Sequence, residues 1–445
     1  MPPSIDHSRS FVDLFSGCGG LSLGLRMAGW PGAFAVERDS MAFKTFEQNF
    51  LEAPSSVRFN WPNWLERRPW GIDELLDHHE SKLDRLRGRV RLVAGGPPCQ
   101  GFSFAGRRRP ADPRNMLFTK YASFVSAVEP DAILMENVPG MMVAHGKLGR
   151  SQKPTLGDEP SSHYERLVAL LIELGYEALG RVLDASQFGV PQRRPRLIIV
   201  GLKVGVAQRL DGGVERVFDL IERARLRQLV RLGLTYPVTA RQAISDLEIE
   251  GGRLAECVDP LSRRGFHELD YRGPKTRYQQ LMHRGFDEPR MDSMRLARHS
   301  DRVRDRFADI LDRFPRGVRL NEIHRQSLGL LKHRIYPMDP NRPAPTLTTL
   351  PDDLLHYAEP RILTVRESAR LQSFPDWFSF SGKYTTGGRQ RTKECPRYTQ
   401  VGNAVPPFLA RAIGVALQDA LGEASLQKRG HKTHGDRPRR SLARA

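Results

Sequence analysis

The sequence predicts an α/β protein with a doubly wound, mostly parallel sheet and a second, smaller domain. Two observations predict the sheet. Short apolar runs alternate with segments whose apolar residues have helical spacing, and glycine-containing turns follow several of the runs. This alternation is typical of parallel sheets with helices on both faces. The second domain is indicated near residue 205, where arginine becomes frequent and strand patterns fade.

The strands are short apolar segments that end at polar or turn-forming residues. They are predicted at 11–15, 33–37, 91–96, 131–138, 177–186 and 196–204, the last two as a hairpin-like pair. Helical spacing or capping residues predict helices at 21–29, 117–130, 163–174, 209–234, 364–372 and 405–421. Ser162 and Glu165 form a capping-box pattern before the third of these helices. The polar stretch 144–163 is predicted to be a loop.

Composition narrows the class of protein. The 445 residues carry a formal net charge of +18, which favours a polyanionic partner, nucleic acid first. No apolar run reaches the length of a membrane span, and the N-terminus lacks a secretory pattern. The four cysteines are far apart, so we expect a reduced, cytoplasmic protein without disulfides and without a metal site.

A glycine-rich turn joins the first strand to the first helix. Gly17 and Gly19 lie in this turn after Phe15, and Glu37 ends the next strand about 20 residues later. That spacing is typical of an acidic residue that binds ribose hydroxyls, but the glycines do not follow the dinucleotide pattern. A nucleoside ligand without pyrophosphate therefore fits better than NAD. A plain strand–turn–helix connection is the alternative.

Cys99 follows Gly95-Gly96-Pro97-Pro98 at the predicted end of the third strand. Such strand ends carry the ligands of open α/β sheets. The reactive form of cysteine is the thiolate, which nearby positive charge favours, and 107–109 are arginines. A small residue in a tight turn is the alternative interpretation.

Two further patterns carry polar groups that suit chemistry. Glu136 and Asn137 end the fourth strand, where a carboxyl group can donate a proton or a hydrogen bond. Arg194 and Arg196 alternate on an extended segment and should therefore point the same way, toward a carboxylate or phosphate. A turn-stabilising pair and a solvated strand edge are the respective alternatives.

Taken together, the motifs resemble an ordered series found in the cytosine-5 DNA methyltransferases. In chain order they are FVDLFSGCGGLSLGL, AVERD, GGPPCQGFS, MENVPG, FGVPQRRPRLIIVG, RPAPTLTT and YTQVGNAVPP. The matches run from Phe11 to about Leu417, interrupted by one variable region, and the bacterial modification enzymes are the most similar branch. The resemblance implies an S-adenosylmethionine-dependent, Rossmann-like catalytic domain and a smaller target-recognition domain.

The resemblance also implies domain bounds. The catalytic domain would span 1–204 and be completed by 396–426, and the target-recognition domain would span 205–395. The basic segment 427–445 is expected to be a disordered tail.

The resemblance assigns catalytic roles at matching positions. Cys99 would attack C6 of a flipped-out cytosine, and a protonated Glu136 would bond to N3 of the ring. Asn137 would help to fix the loop that carries Glu136. Arg194 and Arg196 would orient the base and the catalytic carboxylate.

It likewise assigns a pocket for S-adenosylmethionine. Phe15 would pack on adenine, Gly17 and Gly19 would leave room for the methionine part, and Glu37 would bind the ribose. Asn403 and Val405 would close the pocket. Two further residues expected there are Pro98 and, as the adenine-contacting acid, Asp73.

The expected partner is double-stranded DNA, with a restriction endonuclease as a possible biological companion. We expect a monomer in the bacterial cytoplasm, associated with the nucleoid. An RNA cytosine methyltransferase is the alternative function, although the Cys-Phe-Thr element of the tRNA-modifying branch is absent from the sequence. A DNA-binding module without activity and a nucleotide-dependent oxidoreductase fit the motifs less well.

Overall fold

A computed structural model describes residues 10–52, 56–98, 117–143, 162–330, 335–386, 390 and 393–435, with side chains described up to 428. Its centre is a six-stranded sheet with the order β2-β1-β3-β4-β6-β5. The strands are β1 (Phe11–Leu14), β2 (Gly32–Val36), β3 (Leu92–Gly95), β4 (Ala132–Asn137), β5 (Tyr176–Asp184) and β6 (Pro195–Lys203). The first four pair in parallel, and β6 is antiparallel to both β4 and β5.

Helices cover both faces of the sheet and continue into the rest of the chain. In the first half they are α1 (Gly20–Met27), α2 (Ser40–Glu47), α3 (Ile72–Asp84), α4 (Leu117–Val128) and α5 (His163–Glu173). After β6 follow α6 (Val204–Ala207), α7 (Glu215–Leu232), α8 (Ala240–Ile244), α9 (Arg277–His283), α10 (Asp301–Arg313), α11 (Glu322–Ser327), α12 (Val365–Leu371), α13 (Arg397–Asn403) and α14 (Pro407–Gly435). No helix among the described residues combines the length and the apolar character that crossing a bilayer requires.

The strands and helices predicted from periodicity are confirmed, with ends shifted by a few residues. The capping box of Ser162 and Glu165 opens α5 as predicted. Thr364 and Glu367 form another at α12. The predicted loop 144–163 lies outside the described residues except for its last two positions, of which Ser162 caps α5.

The C-terminal helix differs most from the prediction. It was expected to end at residue 421, but α14 continues to Gly435, so the first part of the predicted disordered tail is helical. Its first half packs on α1. A Cβ atom added to Gly24 would lie 2.4 Å from the Cβ of Ala410, and Trp30 Nε1 donates to the Gly414 carbonyl over 2.8 Å. The end of the chain thus returns to the sheet.

The segment after residue 205 does not leave the first domain at once. The α7 helix, predicted to open the second domain, packs against α14, and Gln228 donates to the carbonyls of Phe188 and Phe408. The main hydrophobic core includes residues of α7 and α8 up to Ile244. The boundary at 205 was therefore placed too early, because a cationic outer face masked the apolar inner face of α7.

Residues 245–335, called the peripheral unit below, lie beyond this core except for α9, whose Tyr278, Leu281 and Met282 belong to it. They contain a two-stranded ribbon, β7 (Leu254–Glu256) paired with β8 (His267–Leu269), and two small hydrophobic clusters centred on Met291 and Ile310. The chain then pairs the short strands β9 (Tyr336–Pro337) and β10 (Leu354–Leu355). These elements carry the chain back to α12 and α13.

Candidate active site

The carboxyl ends of the parallel strands β1 to β4 meet at one edge of the sheet, where open α/β folds place their ligands. Phe15 and Gly17 follow β1, and Glu37 follows β2. Pro97 follows β3, and Glu136 lies near the end of β4. The sheet therefore brings the predicted motifs to a common edge.

Glu37 is fixed by two backbone donors. The amide of Gly17 donates to Oε2 over 2.9 Å, and the amide of Asp39 donates to Oε1 over 2.7 Å. Burial raises the pKa of Glu37, whereas these two hydrogen bonds oppose the rise. One carboxylate thus joins the turn after β1 to the end of β2, in the position predicted for a ribose-binding acid.

The two glycines of the first turn have different surroundings. Gly17 has a φ of 56°, and no atom lies within 4 Å of a Cβ atom built on it, so this side of the turn faces open space. Gly19 has a φ of 95°, but a Cβ atom there would lie 2.4 Å from the Phe50 ring. Gly19 therefore makes room for Phe50, and its part in leaving room for a ligand stays a prediction.

Phe15 connects β1 to this turn. Its φ of 60° is unusual for a residue with a side chain, and the side chain is half-buried against the main core. Phe15 therefore has a partly exposed side chain two residues before Gly17, as the predicted stacking on a ligand requires.

The strongest polar contact at the strand ends joins Glu136 to Arg196. The Arg196 Nε atom lies 2.7 Å from Glu136 Oε1, and about a tenth of each side chain is exposed. The pair forms because β4 and β6 are antiparallel, with Glu136 opposite Ile198. The second oxygen, Oε2, lies 3.4 Å from the position of a Cβ atom on Gly96, so it faces the turn after β3.

Asn137 fixes the same turn. Its Nδ2 atom donates to the Pro97 carbonyl over 3.1 Å, and its Oδ1 atom accepts from the Val138 amide over 2.8 Å. Cys99 itself lies outside the described residues, as do the arginines at 107–109. It is two positions beyond Pro97, a reach of at most about 7 Å. The last described residues before Cys99 thus lie beside the strand end that carries Glu136 and Asn137.

Arg194 does not share the contact of Arg196. Its guanidinium group is buried and donates to three carbonyls, those of Leu347 at 3.1 Å, Gly402 at 2.8 Å and Ala404 at 3.1 Å. Burial lowers the pKa of Arg194 well below its usual value, and the nearby Arg196 charge adds to this effect. The prediction that both arginines point at the carboxylate or the base is therefore corrected: Arg194 joins three segments of backbone.

Residues 402–405, called the C-terminal wall of the pocket below, are held in place by the hydrogen bonds from Arg194 and by close packing. Val405 is buried, and its carbonyl lies 2.4 Å from the position of a Cβ atom on Gly20, which only glycine tolerates. Asn403 ends α13 with its side chain exposed, and Pro98 is half-buried. The GNAV segment therefore lies directly against the glycine-rich turn.

Asp73 has a different environment from the one predicted. It lies in the first turn of α3 with more than half of its side chain exposed, and its Oδ1 atom pairs with Lys120 Nζ at 2.7 Å. This surface ion pair accounts for the residue, and a contact with adenine is left without support.

The three cysteines in the described part of the chain are poor nucleophiles. Burial raises the pKa of the Cys18 thiol to about 12, raises that of Cys395 well above its usual value, and raises that of Cys257 as well. A thiolate is therefore disfavoured at each of them.

Two residues near the site were missed by sequence reasoning. Asp39 caps α2 and also accepts from the Cys395 amide over 3.1 Å, which joins the β2 end to the segment before α13. Gln192 is fully buried, accepts from the Leu347 amide and donates to the Leu371 carbonyl. Asp39-Ser40 is a recognisable capping signal, but no local signal marks Gln192, whose partners are more than 150 residues away.

Comparisons with known proteins identify the family to which this chain belongs. The model of the C-5 cytosine-specific DNA methylase family matches residues 9–419. The chain is 32% identical to the type II methyltransferase M.DdeI of Desulfomicrobium norvegicum over 91% of this chain and 87% of that protein. It is 29% identical to M.AgeI of Thalassovita gelatinovora over 92% and 99% of the two chains.

A solved structure gives the same result. A DNA modification methyltransferase encoded within an E. coli prophage superposes with a TM-score of 0.58 at 25% identity, covering 93% of this chain and all of the other. The family model's match over residues 9–419 includes the strand ends that carry Glu37 and Glu136 and the first part of the C-terminal helix. The chain therefore belongs to the C-5 cytosine-specific DNA methylases and is a DNA (cytosine-5) methyltransferase.

Proposed function

We propose that this enzyme methylates C5 of a cytosine extruded from a specific duplex DNA sequence, with Cys99 as its nucleophile. The observation that carries the proposal is the Glu136 carboxylate, held at 2.7 Å by Arg196 and facing the turn that leads to Cys99. The raised pKa values of the three described cysteines support the same choice. Enzymes of this family use S-adenosylmethionine as the methyl donor.

The strand ends fit that donor. The open space beside Gly17 suits its methionine part, and the carboxylate of Glu37, already oriented by two amides, suits the ribose hydroxyls. We propose that Phe15 packs on the adenine ring and that Pro98, Asn403 and Val405 line the edge of the pocket. We keep Gly19 beside Gly17 in this assignment, whereas Asp73, which pairs with Lys120 on the surface, is left out of it.

Each residue has a distinct part in the proposed reaction. The Cys99 thiolate forms a bond to C6 while the Glu136 carboxyl group transfers its proton to N3, so that C5 becomes nucleophilic. C5 then takes the methyl group as the bond from methyl carbon to sulfonium sulfur breaks. A water or hydroxide removes the C5 proton, the bond from Cys99 to C6 breaks, and N3 returns its proton to Glu136.

The target base must leave the duplex for this chemistry, because C6 is inaccessible in stacked DNA. The formal net charge of +18 supports binding to the phosphate backbone, which offsets part of the few kcal/mol that extrusion costs. We assign the orientation of the ring to Arg196, which pairs with Glu136.

A mechanism-based trap tests the proposal. A duplex with 5-fluorocytosine at the target, incubated with S-adenosylmethionine and the enzyme, should give a complex that survives denaturing electrophoresis, because fluorine does not leave as a proton does. The same duplex with ordinary cytosine and the Cys99→Ala variant are the controls, and neither should be trapped. A dissociable complex with the fluorinated duplex, formed under conditions in which methyl transfer to the cytosine duplex proceeds, would contradict attack by Cys99.

The biological setting is a further part of the proposal. The relatives carry type II names, which supports a restriction–modification role beside an endonuclease. We propose a monomer that acts in the cytoplasm on nucleoid DNA. Bisulfite sequencing of DNA from cells that express the protein would give the target sequence. Methyl transfer to tRNA but not to duplex DNA would instead support the RNA alternative.

A further inference from the structure

Arg397, the first residue of α13, is a buried junction between α13 and the peripheral unit. Its Nη1 atom lies 2.6 Å from Asp259 Oδ2, 3.2 Å from Asp292 Oδ1 and 3.1 Å from Ser293 Oγ. Only 3% of the residue is exposed. A buried guanidinium group with two carboxylate partners fixes the direction of both segments, because loss of either partner would leave a buried charge uncompensated.

Asp259 lies in the loop 257–266, which joins the ribbon strands β7 and β8. Besides Arg397, its carboxylate accepts from Tyr384 Oη over 2.7 Å and from the Leu261 amide over 2.9 Å. The Arg295 guanidinium group stacks on the Tyr384 ring, 3.6 Å from its centroid. The base of the loop is thus anchored to the segment before α13.

The outer side of the same loop is built for contact with a polyanion. Arg263 and Arg264 are exposed, and neither forms an ion pair within the described residues. More than half of the Leu261 side chain is also exposed. Unpaired arginines next to an exposed aliphatic side chain suit the phosphates and base edges of DNA.

The two ends of α13 contact the proposed S-adenosylmethionine pocket. Two residues before the helix, the Cys395 amide donates to Asp39, whose own amide donates to Glu37. At the other end, about 10 Å away along seven residues, Ala404 and Val405 follow the helix and lie against Gly20 of the glycine-rich turn. Movement of the pocket wall on ligand binding would therefore be transmitted along α13 to Arg397.

We propose that Arg397 is a positioning residue that couples the S-adenosylmethionine pocket to the DNA-facing loop 257–266. The inference rests on the proposed function. Ligand in the pocket fixes α13, α13 fixes Arg397, and Arg397 fixes the loop through Asp259. Binding of S-adenosylhomocysteine should then tighten DNA binding, and DNA should tighten S-adenosylhomocysteine binding by the same factor.

The test measures this coupling directly. The affinity of the enzyme for a duplex that contains its target is determined with and without saturating S-adenosylhomocysteine, for the wild type, Arg397→Lys and Asp259→Asn. Lysine keeps the charge but has one nitrogen, so it cannot keep both the carboxylate contacts of Nη1 and the hydrogen bond that Nε donates to the Gly382 carbonyl. The matched control is Arg370→Lys, since Arg370 is equally buried at the same junction, paired with Asp246 and Asp376, but lies on α12.

We expect the wild type to show a coupling of about five-fold or more, Arg397→Lys and Asp259→Asn to lose most of it, and Arg370→Lys to retain it. Equal loss in Arg370→Lys would show a merely structural role and overturn the inference, as would full coupling in both test variants. A wild type that methylates DNA without any coupling would also overturn it while leaving the proposed function intact. A wild type that neither methylates DNA nor binds S-adenosylhomocysteine would instead contradict the proposed function.

Discussion

The pairing of Glu136 with Arg196 explains how one carboxyl group can serve two stages of the proposed reaction. Arg196 holds Oε1, which fixes the plane of the group, and Oε2 remains directed at the turn before Cys99. A proton on Oε2 can then be given to the cytosine ring and taken back without movement of the side chain. Preorganisation of this kind avoids the free-energy cost of reorienting a polar group during the reaction.

A second carboxyl group near the site has a different role. Asp13 is fully buried in β1, accepts from Ser22 Oγ over 2.6 Å, and has no partner for Oδ1 within the described residues. Burial raises its pKa from 3.8 to about 7, against the opposing effect of the Ser22 hydrogen bond. Asp13 is therefore favoured in its neutral form in the folded protein.

This leads to a prediction for Asp13→Asn, which stays neutral at every pH. Since the folded pKa is above the unfolded one, the stabilising contribution of Asp13 is complete below pH 4 and is lost as pH rises to about 7. The free energy of unfolding of the wild type, relative to Asp13→Asn, should fall by about 1.4 kcal/mol per pH unit in this window. Urea unfolding of both proteins at pH 5 and pH 8 measures it, and a difference independent of pH would contradict it.

Single residues also show where sequence reasoning stops. The ends of β1, β2 and β4 were predictable, because apolar runs ending in polar residues mark them, and Glu37 and Glu136 were found in this way. The contacts that neighbouring side chains make were not predictable. Alternation along a strand predicted a common direction for Arg194 and Arg196, but it cannot show that backbone carbonyls from residues 347, 402 and 404 surround Arg194.

At the scale of elements, Arg194 joins parts of the chain that are more than 150 residues apart. The carbonyls of Gly402 and Ala404 belong to the C-terminal wall of the proposed pocket, and that of Leu347 belongs to the segment before β10. Gly402 itself packs so tightly that a Cβ atom would lie 2.3 Å from the Thr348 carbonyl oxygen. The start of β6 thereby sets the position of α13 relative to the sheet.

We predict that Arg194→Lys weakens S-adenosylhomocysteine binding by roughly ten-fold and lowers the free energy of unfolding by about 1–3 kcal/mol. Lysine cannot reach all three carbonyls, and buried acceptors without donors are costly. Calorimetric titration and urea unfolding measure the two effects. Arg193→Lys is the matched control, since Arg193 is adjacent but 82% exposed, and it should change neither. Wild-type affinity in Arg194→Lys would contradict the role of Arg194 at the pocket wall.

The elements differ in how far the sequence predicts them. Capping boxes at Ser162 and Thr364 placed helix starts correctly, because these signals are local. The domain boundary near 205 was misplaced for a non-local reason. The apolar face of α7 is complementary to α14, almost 200 residues further along, and composition alone does not show that partner.

For the whole molecule, buried ion pairs connect the peripheral unit to the rest of the chain. Arg370 pairs with Asp246 and Asp376, and Arg397 pairs with Asp259 and Asp292. These partners are up to 138 residues apart, and breaking such a pair is expected to cost several kcal/mol. Charge pairing, together with the packing of α9 residues in the main core, therefore fixes the orientation of the peripheral unit.

The excess positive charge of the molecule is partly concentrated at its C-terminal end. The buried residues of α14 extend to Ala424, and Leu426 is already exposed. Residues 428–445 contain a single acid, Asp436, and seven basic residues, which are Lys428, Arg429, Lys432, Arg437, Arg439, Arg440 and Arg444. This end of the chain can therefore contribute to DNA binding without contributing to the hydrophobic core.

We predict that a chain ending at Gln427 keeps its thermal stability and its affinity for S-adenosylhomocysteine but binds all duplex DNA more weakly at low salt. For each phosphate that the shortened chain no longer neutralises, the slope of log K against log salt concentration should become shallower by about 0.9. The change should be equal for target and non-target duplexes, because binding to phosphates carries no sequence information. Fluorescence anisotropy titrations over a range of salt concentrations measure both slopes.

A full-length variant with glutamine at the seven basic positions separates charge from length and should match the shortened chain. An unchanged slope, or weaker binding confined to the target duplex, would show that this charge acts elsewhere than on the phosphate backbone.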